Sequence, residues 1–232
     1  MIFVCGDIHG KHDIAKLTTD KWRQGATLTK KDYLIVAGDF GVLWKNKEDD
    51  EERKLKKWLE LKPWTTLFID GNHENFERLQ ALPREQKFNG IVGKVNDSIY
   101  YLKRGFVYTI NDKKFFVMGG GDSIDKAGRV EGLSWWREEL PNYKELRFGM
   151  KELQDNDNCV DFIITHSCPE SIFELMGFSD IGYDSSEKFL RQYFDEIVKI
   201  TTFKAWYFGH FHNEYRMDKF YGLYNETPLL VC

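Results

Sequence analysis

An apolar run that ends in polar side chains recurs along this chain, and its fullest copy is Leu67-Phe68-Ile69-Asp70-Gly71-Asn72-His73-Glu74. The first three residues are bulky and apolar, as in a buried strand. The glycine that follows permits the sharp turn that a site at a strand end needs. Because ligands bind beyond the carboxyl ends of strands in open α/β sheets, this stretch predicts one wall of a functional site.

Four other stretches repeat the pattern. Apolar runs at residues 2–5, 33–37, 162–164 and 205–208 lead into the motifs Gly6-Asp7-x-His9, Gly38-Asp39, Thr165-His166 and Gly209-His210-x-His212. Taken alone, a Gly-Asp pair is usually a turn, and a histidine after a strand is usually a hydrogen-bonded group at the edge of the core. Five of the six histidines nevertheless lie in these motifs. The whole set in this order predicts that five strand ends meet at one rim.

The residue types at this rim favour a dinuclear metal site. Imidazole nitrogen and carboxylate oxygen are the usual ligands of divalent ions such as Mn, Fe, Zn, Co or Ni, and we expect Mn²⁺ to serve in assays. Two-metal hydrolytic sites hold the attacking and departing oxygens of an in-line displacement. Residues two apart in an extended segment face the same side, and a carboxylate can bridge two ions. The predicted ligands are Asp7, His9, Asp39, Asn72, His166, His210 and His212.

Length, charge and cysteine content narrow the class of protein. The 232 residues suit one α/β domain spanning 1–232, and the net charge of −4 gives no support for attraction to nucleic acid or an anionic membrane. The four cysteines include no C-x-x-C pair, which favours reduced thiols. The N-terminus resembles no secretion signal, and no apolar run is long enough to span a bilayer. We expect a cytoplasmic protein without membrane contact; a protein partner is not indicated.

Two helices are predicted between the strands. Residues 47–61 begin acidic, become basic and are followed by Pro63, the polarity that a helix dipole favours. A second helix is predicted from a capping box at Asp184-x-x-Glu187 to about Lys199. Strand–helix alternation in the first third indicates βαβ units, whereas residues 91–118 suggest shorter strands and turns. The buried face of the second helix is predicted to comprise Phe189, Leu190, Tyr193, Phe194 and Ile197.

The ordered motifs D-x-H, G-D, G-N-H-E, H and G-H-x-H resemble those of the calcineurin-like metallophosphoesterases, from Asp7 to His212. The resemblance implies an α/β fold of four layers, two mixed β-sheets flanked by helices, with metals at the strand ends. It also implies metal-dependent hydrolysis of phosphate esters. One ion would be held by Asp7, His9, Asp39 and His212, and the other by Asp39, Asn72, His166 and His210.

The resemblance gives His73 a catalytic role beside the metals. A water or hydroxide between the ions attacks phosphorus, and this histidine donates a hydrogen bond to the phosphoryl oxygen or a proton to the leaving oxygen. A purely structural role for His73 is the alternative, although its adjacency to Asn72 argues against it. What orients His73 is left open by the sequence.

The residues that follow Asp39 differ from those of two branches of the superfamily, and this difference bears on the substrate. Protein phosphatases of the superfamily continue G-D with Asp-Arg-Gly, whose arginine grips phosphate and whose aspartate orients the catalytic histidine; Val42 and Leu43 stand in those places here. Purple acid phosphatases have an iron-binding tyrosine where Val42 stands. A phosphodiester or nucleotide-type substrate is therefore slightly preferred over a phosphomonoester or phosphoprotein. Nucleic acid lacks the support of a basic stripe, and a non-catalytic metal-binding scaffold would not be expected to retain every motif.

Other positions carry weaker signals. The loop Gly119-Gly120-Gly121 follows another apolar run, and beyond it Arg129 is predicted to bind substrate, with a solvated loop charge as the alternative. The pair Trp135-Trp136 is expected to pack an irregular loop more readily than to stack on a substrate. His12 is expected at the surface, and Cys168 is close to His166 but not needed for the chemistry.

Overall fold

The computed structural model describes residues 1–179 and 185–232, and within these residues the strands form two mixed sheets. In the first sheet the order is β13-β1-β2-β3-β6-β5-β4, in which β1, β2, β3 and β6 are parallel and the other strands pair antiparallel. Its strands are β1 (Ile2–Cys5), β2 (Tyr33–Val36), β3 (Thr65–Phe68), β4 (Arg84–Lys87), β5 (Gly90–Asn96), β6 (Ile99–Leu102) and β13 (Leu229–Leu230).

The second sheet has the order β11-β12-β10-β9-β8-β7, with β8, β9, β10 and β12 parallel. Antiparallel partners, β7 and β11, close its two edges. Its strands are β7 (Val107–Ile110), β8 (Lys113–Met118), β9 (Phe162–Thr165), β10 (Ala205–Phe208), β11 (Tyr215–Met217) and β12 (Phe220–Gly222).

The helices cover the outer faces of the two sheets. Alternate residues of one strand enter different cores: Phe3 packs with α1 on the outer side of the first sheet, and Val4 packs between the sheets. The outer face of the second sheet packs on α3, α4 and α5. The predicted architecture of two mixed sheets flanked by helices is confirmed. The helices are α1 (Asp50–Glu60), α2 (Phe76–Ala81), α3 (Tyr143–Asp155), α4 (Glu170–Leu175) and α5 (Ser185–Ile200).

The two predicted helices are present at the expected positions, but their boundaries differ from the prediction by a few residues. The first helix begins at Asp50 because the Asp49 side chain accepts a hydrogen bond from the Glu52 amide and caps it. The connection between β1 and β2 contains 3₁₀ turns at Ile14–Leu17 and Arg23–Thr27 where the βαβ pattern predicted an α-helix. No helix among the described residues is both long enough and apolar enough to cross a membrane.

The predicted burial of Phe189 is wrong, because this side chain is 58% exposed. The buried stripe of α5 follows Leu190, Phe194 and Ile197, spaced four and three residues apart, with Tyr193 partly buried at its margin. Phe189 lies beyond that stripe. The predicted capping residue Asp184 lies outside the described residues.

A buried ion pair lies directly beneath the end of β3. Arg104 donates from Nε and Nη2 to Oδ2 of Asp70, at 2.8 and 2.5 Å, and the Tyr101 hydroxyl donates to Oδ1 at 2.7 Å. The same Nη2 also reaches the carbonyls of Glu138 and Glu139. The pair therefore fixes the turn that leads from β3 to Asn72 and joins it to the loop before α3.

We expect Arg104→Met to lower the free energy of unfolding by about 3–5 kcal/mol, because it leaves the buried Asp70 carboxylate without its cation. Tyr101→Phe removes one hydrogen bond and should cost about 1–2 kcal/mol. Urea unfolding measures both. Arg137→Met, at an exposed arginine paired with Glu131, is the control; a loss for Arg104→Met no larger than that of this control would contradict the expectation.

Candidate metal centre

Five strand ends meet at one rim, as the sequence pattern predicted. Three overlapping groups of side chains have ligand atoms within 4.8 Å of one another: Asp7 with His9 and His212, His9 with Asp39 and His73, and Asp7 with Asp39 and His166. Asn72 Oδ1 lies 3.2 Å from His166 Nε2 and 3.1 Å from His210 Nδ1. All seven predicted ligands and His73 are thus brought together by β1, β2 and β3 of one sheet and β9 and β10 of the other.

Two buried carboxylates form the centre of this cluster. Asp39 places one oxygen 3.3 Å from His166 Nε2 and the other 3.2 Å from His9 Nε2. Asp7 lies 3.2 Å from His212 Nε2. Burying two carboxylates side by side is costly unless positive charge compensates them. The mixed oxygen and nitrogen donors that converge here fit divalent metal ions.

Lys16 lies next to Asp7 but makes its hydrogen bonds to main-chain carbonyls. The side chain is buried, and its ammonium donates to the carbonyls of Asp7 and Tyr224. These hydrogen bonds connect Asp7, at the end of β1, to Tyr224, which follows β12. The carboxylates themselves remain directed at the histidines.

The backbone is strained at four of the predicted ligands. His9, Asp39, His210 and His212 have φ values of 47°, 45°, 71° and 48°, in the left-handed region that residues with a side chain rarely adopt. Such conformations persist where the surrounding structure enforces them, and they cluster at functional sites. Here all four residues belong to the predicted ligands that converge at this rim.

Glycines leave room for ligand side chains from neighbouring strands. Gly38 has a φ of +90°, and a Cβ atom there would lie 2.1 Å from His166 Nδ1. A Cβ at Gly71 would lie 2.1 Å from Asp39 Oδ1. The glycines of the G-D and G-N-H motifs are therefore required by packing inside the cluster.

Hydrogen bonds from outside the cluster orient individual ligands. His9 Nδ1 lies 2.6 Å from Asp13 Oδ2, and His166 Nδ1 lies 2.9 Å from the carbonyl of Ala37. Each contact leaves Nε2 of that ring facing the carboxylates. Sequence reasoning missed Asp13, although its position four residues after His9 is a usable signal.

The triple-glycine loop after β8 orients Asn72. Nδ2 of the Asn72 side chain donates to Ser123 Oγ at 3.2 Å, which directs Oδ1 of the same side chain toward His166 and His210. The Ser123 amide is held in turn by Glu139 at 3.0 Å. Sequence reasoning singled out this loop but did not find its role, because Ser123 and Asn72 are 51 residues apart.

Glu74, the last residue of G-N-H-E, holds the loop after Asp39. Its buried carboxyl accepts hydrogen bonds from the amides of Phe40 and Gly41, at 2.7 and 3.2 Å. Burial and the charge of Asp39 raise the pKa of Glu74 well above its usual range. Its role is to shape the turn that presents Asp39.

His73 is positioned by its backbone and by aromatic packing. Its amide donates to Asp39 Oδ1 at 2.7 Å, and its ring centroid lies 5.2 Å from that of His9 and 5.5 Å from that of Trp44. Burial lowers the pKa of His73. Val42 and Leu43, which follow Asp39 on the same loop, are buried in the apolar core.

A cleft of about 590 Å³ opens above the cluster, with His9, His73 and His212 at its base. Arg129 lines one wall, where Nε lies 2.7 Å from Asp125 and Nη1 donates to the carbonyl of Ser134 at 3.1 Å.

The remaining candidates have lesser roles around the cleft. His12 is exposed at its mouth, as expected for a surface residue. Trp136 is buried and packs edge-on against Trp44, in agreement with loop packing. Cys168 is buried in the core beneath the second sheet's outer face.

Comparison with known proteins identifies the family. A family model described as calcineurin-like phosphoesterase matches residues 1–214. The chain belongs to the calcineurin-like phosphoesterases. It is therefore a member of a class of hydrolases that act on phosphoester bonds, and the cluster lies where the family motifs converge.

Individual relatives are distant. The lariat debranching enzyme of Schizosaccharomyces pombe is 28% identical over an alignment of 159 residues that covers 62% of this chain and 33% of that enzyme. The chain thus spans about a third of the length of this curated relative.

The solved structures that match include two with low sequence identity. Phosphopantetheinyl hydrolase from Mycobacterium tuberculosis has a TM-score of 0.47 and 13% identity, with 97% of this chain and 89% of that chain covered. Sulfate thiohydrolase from Thermus thermophilus, in complex with glycerol, has a TM-score of 0.42 and 12% identity, with coverage of 97% and 51%. At this level neither structure bears on the substrate of this chain.

The buried carboxylates also raise the pKa values of two histidines in the cluster, His9 and His166. Burial by itself would lower the pKa of His9, but Asp39 and Asp7 outweigh it and raise the pKa to about 9. The same carboxylates raise the pKa of the fully buried His166 to about 10. Between pH 6.5 and about 9, both imidazoles are therefore mostly protonated in the folded protein, whereas a histidine of the unfolded chain, with a pKa of 6.5, is mostly neutral.

These shifts predict a pH-dependent stability when a chelator is present. The two protonated imidazoles contribute fully to the free energy of unfolding below the unfolded pKa of 6.5, and this contribution is lost as the pH rises through about 9 and 10. The urea concentration at the unfolding midpoint should therefore fall from neutral to alkaline pH. Divalent ions must displace these protons, so stabilisation by Mn²⁺ should grow as the pH rises above neutral. The control His12→Gln, at an exposed imidazole, should show the same change of the urea midpoint with pH as the wild type. A midpoint that rises with pH in the presence of chelator would contradict a stabilising role for the protonated His9 and His166.

Proposed function

We propose that this protein hydrolyses a phosphodiester, of nucleotide type, at a dinuclear centre for which Mn²⁺ is a suitable ion. The observation that carries the choice of a diester is the cleft above the cluster, which is large, partly apolar and nearly balanced in charge. The residues assigned to the two ions are Asp7, His9, Asp39 and His212 for one, and Asp39, Asn72, His166 and His210 for the other, with Asp39 shared.

The donors support this assignment by their chemistry and burial. Asp39 directs its two oxygens at histidines from different motifs, as a bridging carboxylate requires. Divalent ions bound here would lower the pKa of water and neutralise negative charge that develops on the phosphoryl group. Hydrogen bonds to Asp13, Ser123 and the Ala37 carbonyl already orient His9, Asn72 and His166, so these donors need little rearrangement to bind.

His73 is assigned as the residue that assists the departing group. It lines the cleft, its ligand atom lies within 4.8 Å of those of His9 and Asp39, and the two ligand sets assigned above are complete without it. Because burial lowers its pKa, its neutral imidazole is available at pH 7 to donate a hydrogen bond to a phosphoryl or leaving-group oxygen. Trp44 and the Asp39 carboxylate hold it in this position.

Ion pairing weakens the positive charge of the cleft. Lys11 lies 2.5 Å from Glu51, Lys45 pairs with Asp49 and Glu51, and Arg129 pairs with Asp125. A phosphomonoester carries close to two negative charges at neutral pH and gains most from unpaired cations. A diester carries one negative charge, so this cleft suits a diester better.

The size and walls of the cleft agree with two organic substituents on the phosphate. Its volume of about 590 Å³ far exceeds that of a phosphate group, and Trp44 and Leu55 contribute apolar surface. One distant relative is named a lariat debranching enzyme, which supports a nucleotide-type substrate without specifying it. The net charge of −4 favours a nucleotide or a nucleic-acid end over a long duplex.

The first test compares bis-p-nitrophenyl phosphate with p-nitrophenyl phosphate after reconstitution with Mn²⁺. We expect a preference for the diester in kcat/KM, and a loss of about 10²- to 10⁴-fold in kcat for His73→Ala with Mn²⁺ content unchanged. Preference for the monoester would establish the phosphomonoesterase alternative. Two bound ions without activity on either compound or on dinucleotides would favour the non-catalytic scaffold.

A second test concerns Arg129. If this side chain contacts the substrate, Arg129→Ala should raise KM for the diester several-fold, because about 1–2 kcal/mol of charge-assisted hydrogen bonding is lost, while kcat changes less. Steady-state kinetics of Arg129→Ala and of the control Arg137→Ala, which lies outside the cleft, separate this effect from a general loss of charge. Equal KM values for the two variants would remove Arg129 from the site.

A further inference from the structure

Glu187 joins the cluster from a helix that carries none of the family motifs. It lies in the first turn of α5, its side chain is fully buried, and its Oε1 is 3.0 Å from Nε2 of His210. The other ring nitrogen of His210, Nδ1, is 3.1 Å from Asn72 Oδ1 and therefore faces the cluster. The His210 ring thus bridges the helix carboxylate and the predicted ligands.

The carboxylate is itself held from behind. The hydroxyl of Ser167 donates to Oε1 at 2.9 Å, and the guanidinium of Arg191 lies 3.8 Å from Oε2. Arg191 is buried, bonded to Glu170 at 2.6 Å and stacked on the ring of Phe173. Ser167 directly follows His166, so Glu187 connects to two neighbouring motifs of the cluster.

We propose that Glu187 is a positioning residue that holds His210 with Nε2–H donated to its carboxylate and the Nδ1 lone pair directed at a metal ion. A hydrogen-bond acceptor behind a ligating histidine fixes both the tautomer and the ring orientation. The inference rests on the proposed function in one respect, namely the assignment of His210 as a metal ligand.

The competing explanation is that Glu187 only balances the buried charge of Arg191. The geometry favours the first role, because the distance to His210 is that of a hydrogen bond whereas the distance to the guanidinium is not. The two roles require different properties of the side chain. Positioning requires an acceptor that reaches His210; charge balance requires a negative charge near Arg191.

Two substitutions separate these demands. Glu187→Gln keeps the length and an acceptor oxygen but removes the charge, whereas Glu187→Asp keeps the charge and withdraws it by one methylene. Calorimetric titration of Mn²⁺ into chelator-treated protein measures affinity without reference to catalysis. Glu196→Gln, at an exposed residue of the same helix paired with Lys199, is the matched control.

We expect Glu187→Asp to weaken one Mn²⁺-binding step by about 10- to 100-fold, the same step that His210→Ala weakens, and Glu187→Gln to retain most of the affinity. In the His210→Ala background, Glu187→Asp should have no further effect on that step. Urea unfolding in chelator verifies that each variant is folded.

Three results would overturn the proposal: wild-type affinity in Glu187→Asp, a greater loss in Glu187→Gln than in Glu187→Asp, or an undiminished effect of Glu187→Asp when His210 is absent. Failure of the metal assignment, on which the proposed function depends, is a different outcome: the wild-type protein itself then binds no Mn²⁺, and Glu187 has no metal ligand to position. Failure of the hydrolysis alone appears in the esterase assay and leaves the Mn²⁺ titrations unaffected.

Discussion

The juxtaposition of two buried carboxylates, Asp7 and Asp39, is the constraint on which the site depends. They follow adjacent parallel strands of the first sheet and meet the histidines that follow β9 and β10 of the second. A position between the two sheets removes them from water, which makes their mutual repulsion costly and their attraction to cations strong. The histidine protons and, in the proposed function, divalent ions satisfy the same electrostatic demand.

A second set of polar residues makes that centre rigid. Asp13, Ser123 and Glu187 each contact a different predicted ligand, and Glu74 fixes the loop that presents Asp39. These residues come from loops and helices scattered over the chain. Preorganised donors and acceptors gain most where water is excluded, so the buried hydrogen bonds around the cluster matter to the chemistry as much as the ligands do.

Much of the fold could be predicted from local sequence. The strand ends were predicted because each buried strand is a continuous apolar run that stops at a glycine or a polar residue, and the helix at α1 was predicted from its charge gradient. The burial of Phe189 was predicted wrongly, since periodicity gives the centre of an apolar stripe more reliably than its edge. The 3₁₀ turns between β1 and β2 gave no periodic signal that would distinguish them from a helix.

By itself the sequence determined the order of the motifs, the types of donor and the family, because the spacing within D-x-H and G-H-x-H is local and the chemistry of imidazole and carboxylate is fixed. Only the tertiary structure decided that Glu187 and Ser123 reach the cluster and that Trp44 packs on His73. It also decided that the cations of the cleft are paired. These contacts join residues far apart in the chain, and their distances depend on how the two sheets and their helices pack, which no local pattern encodes.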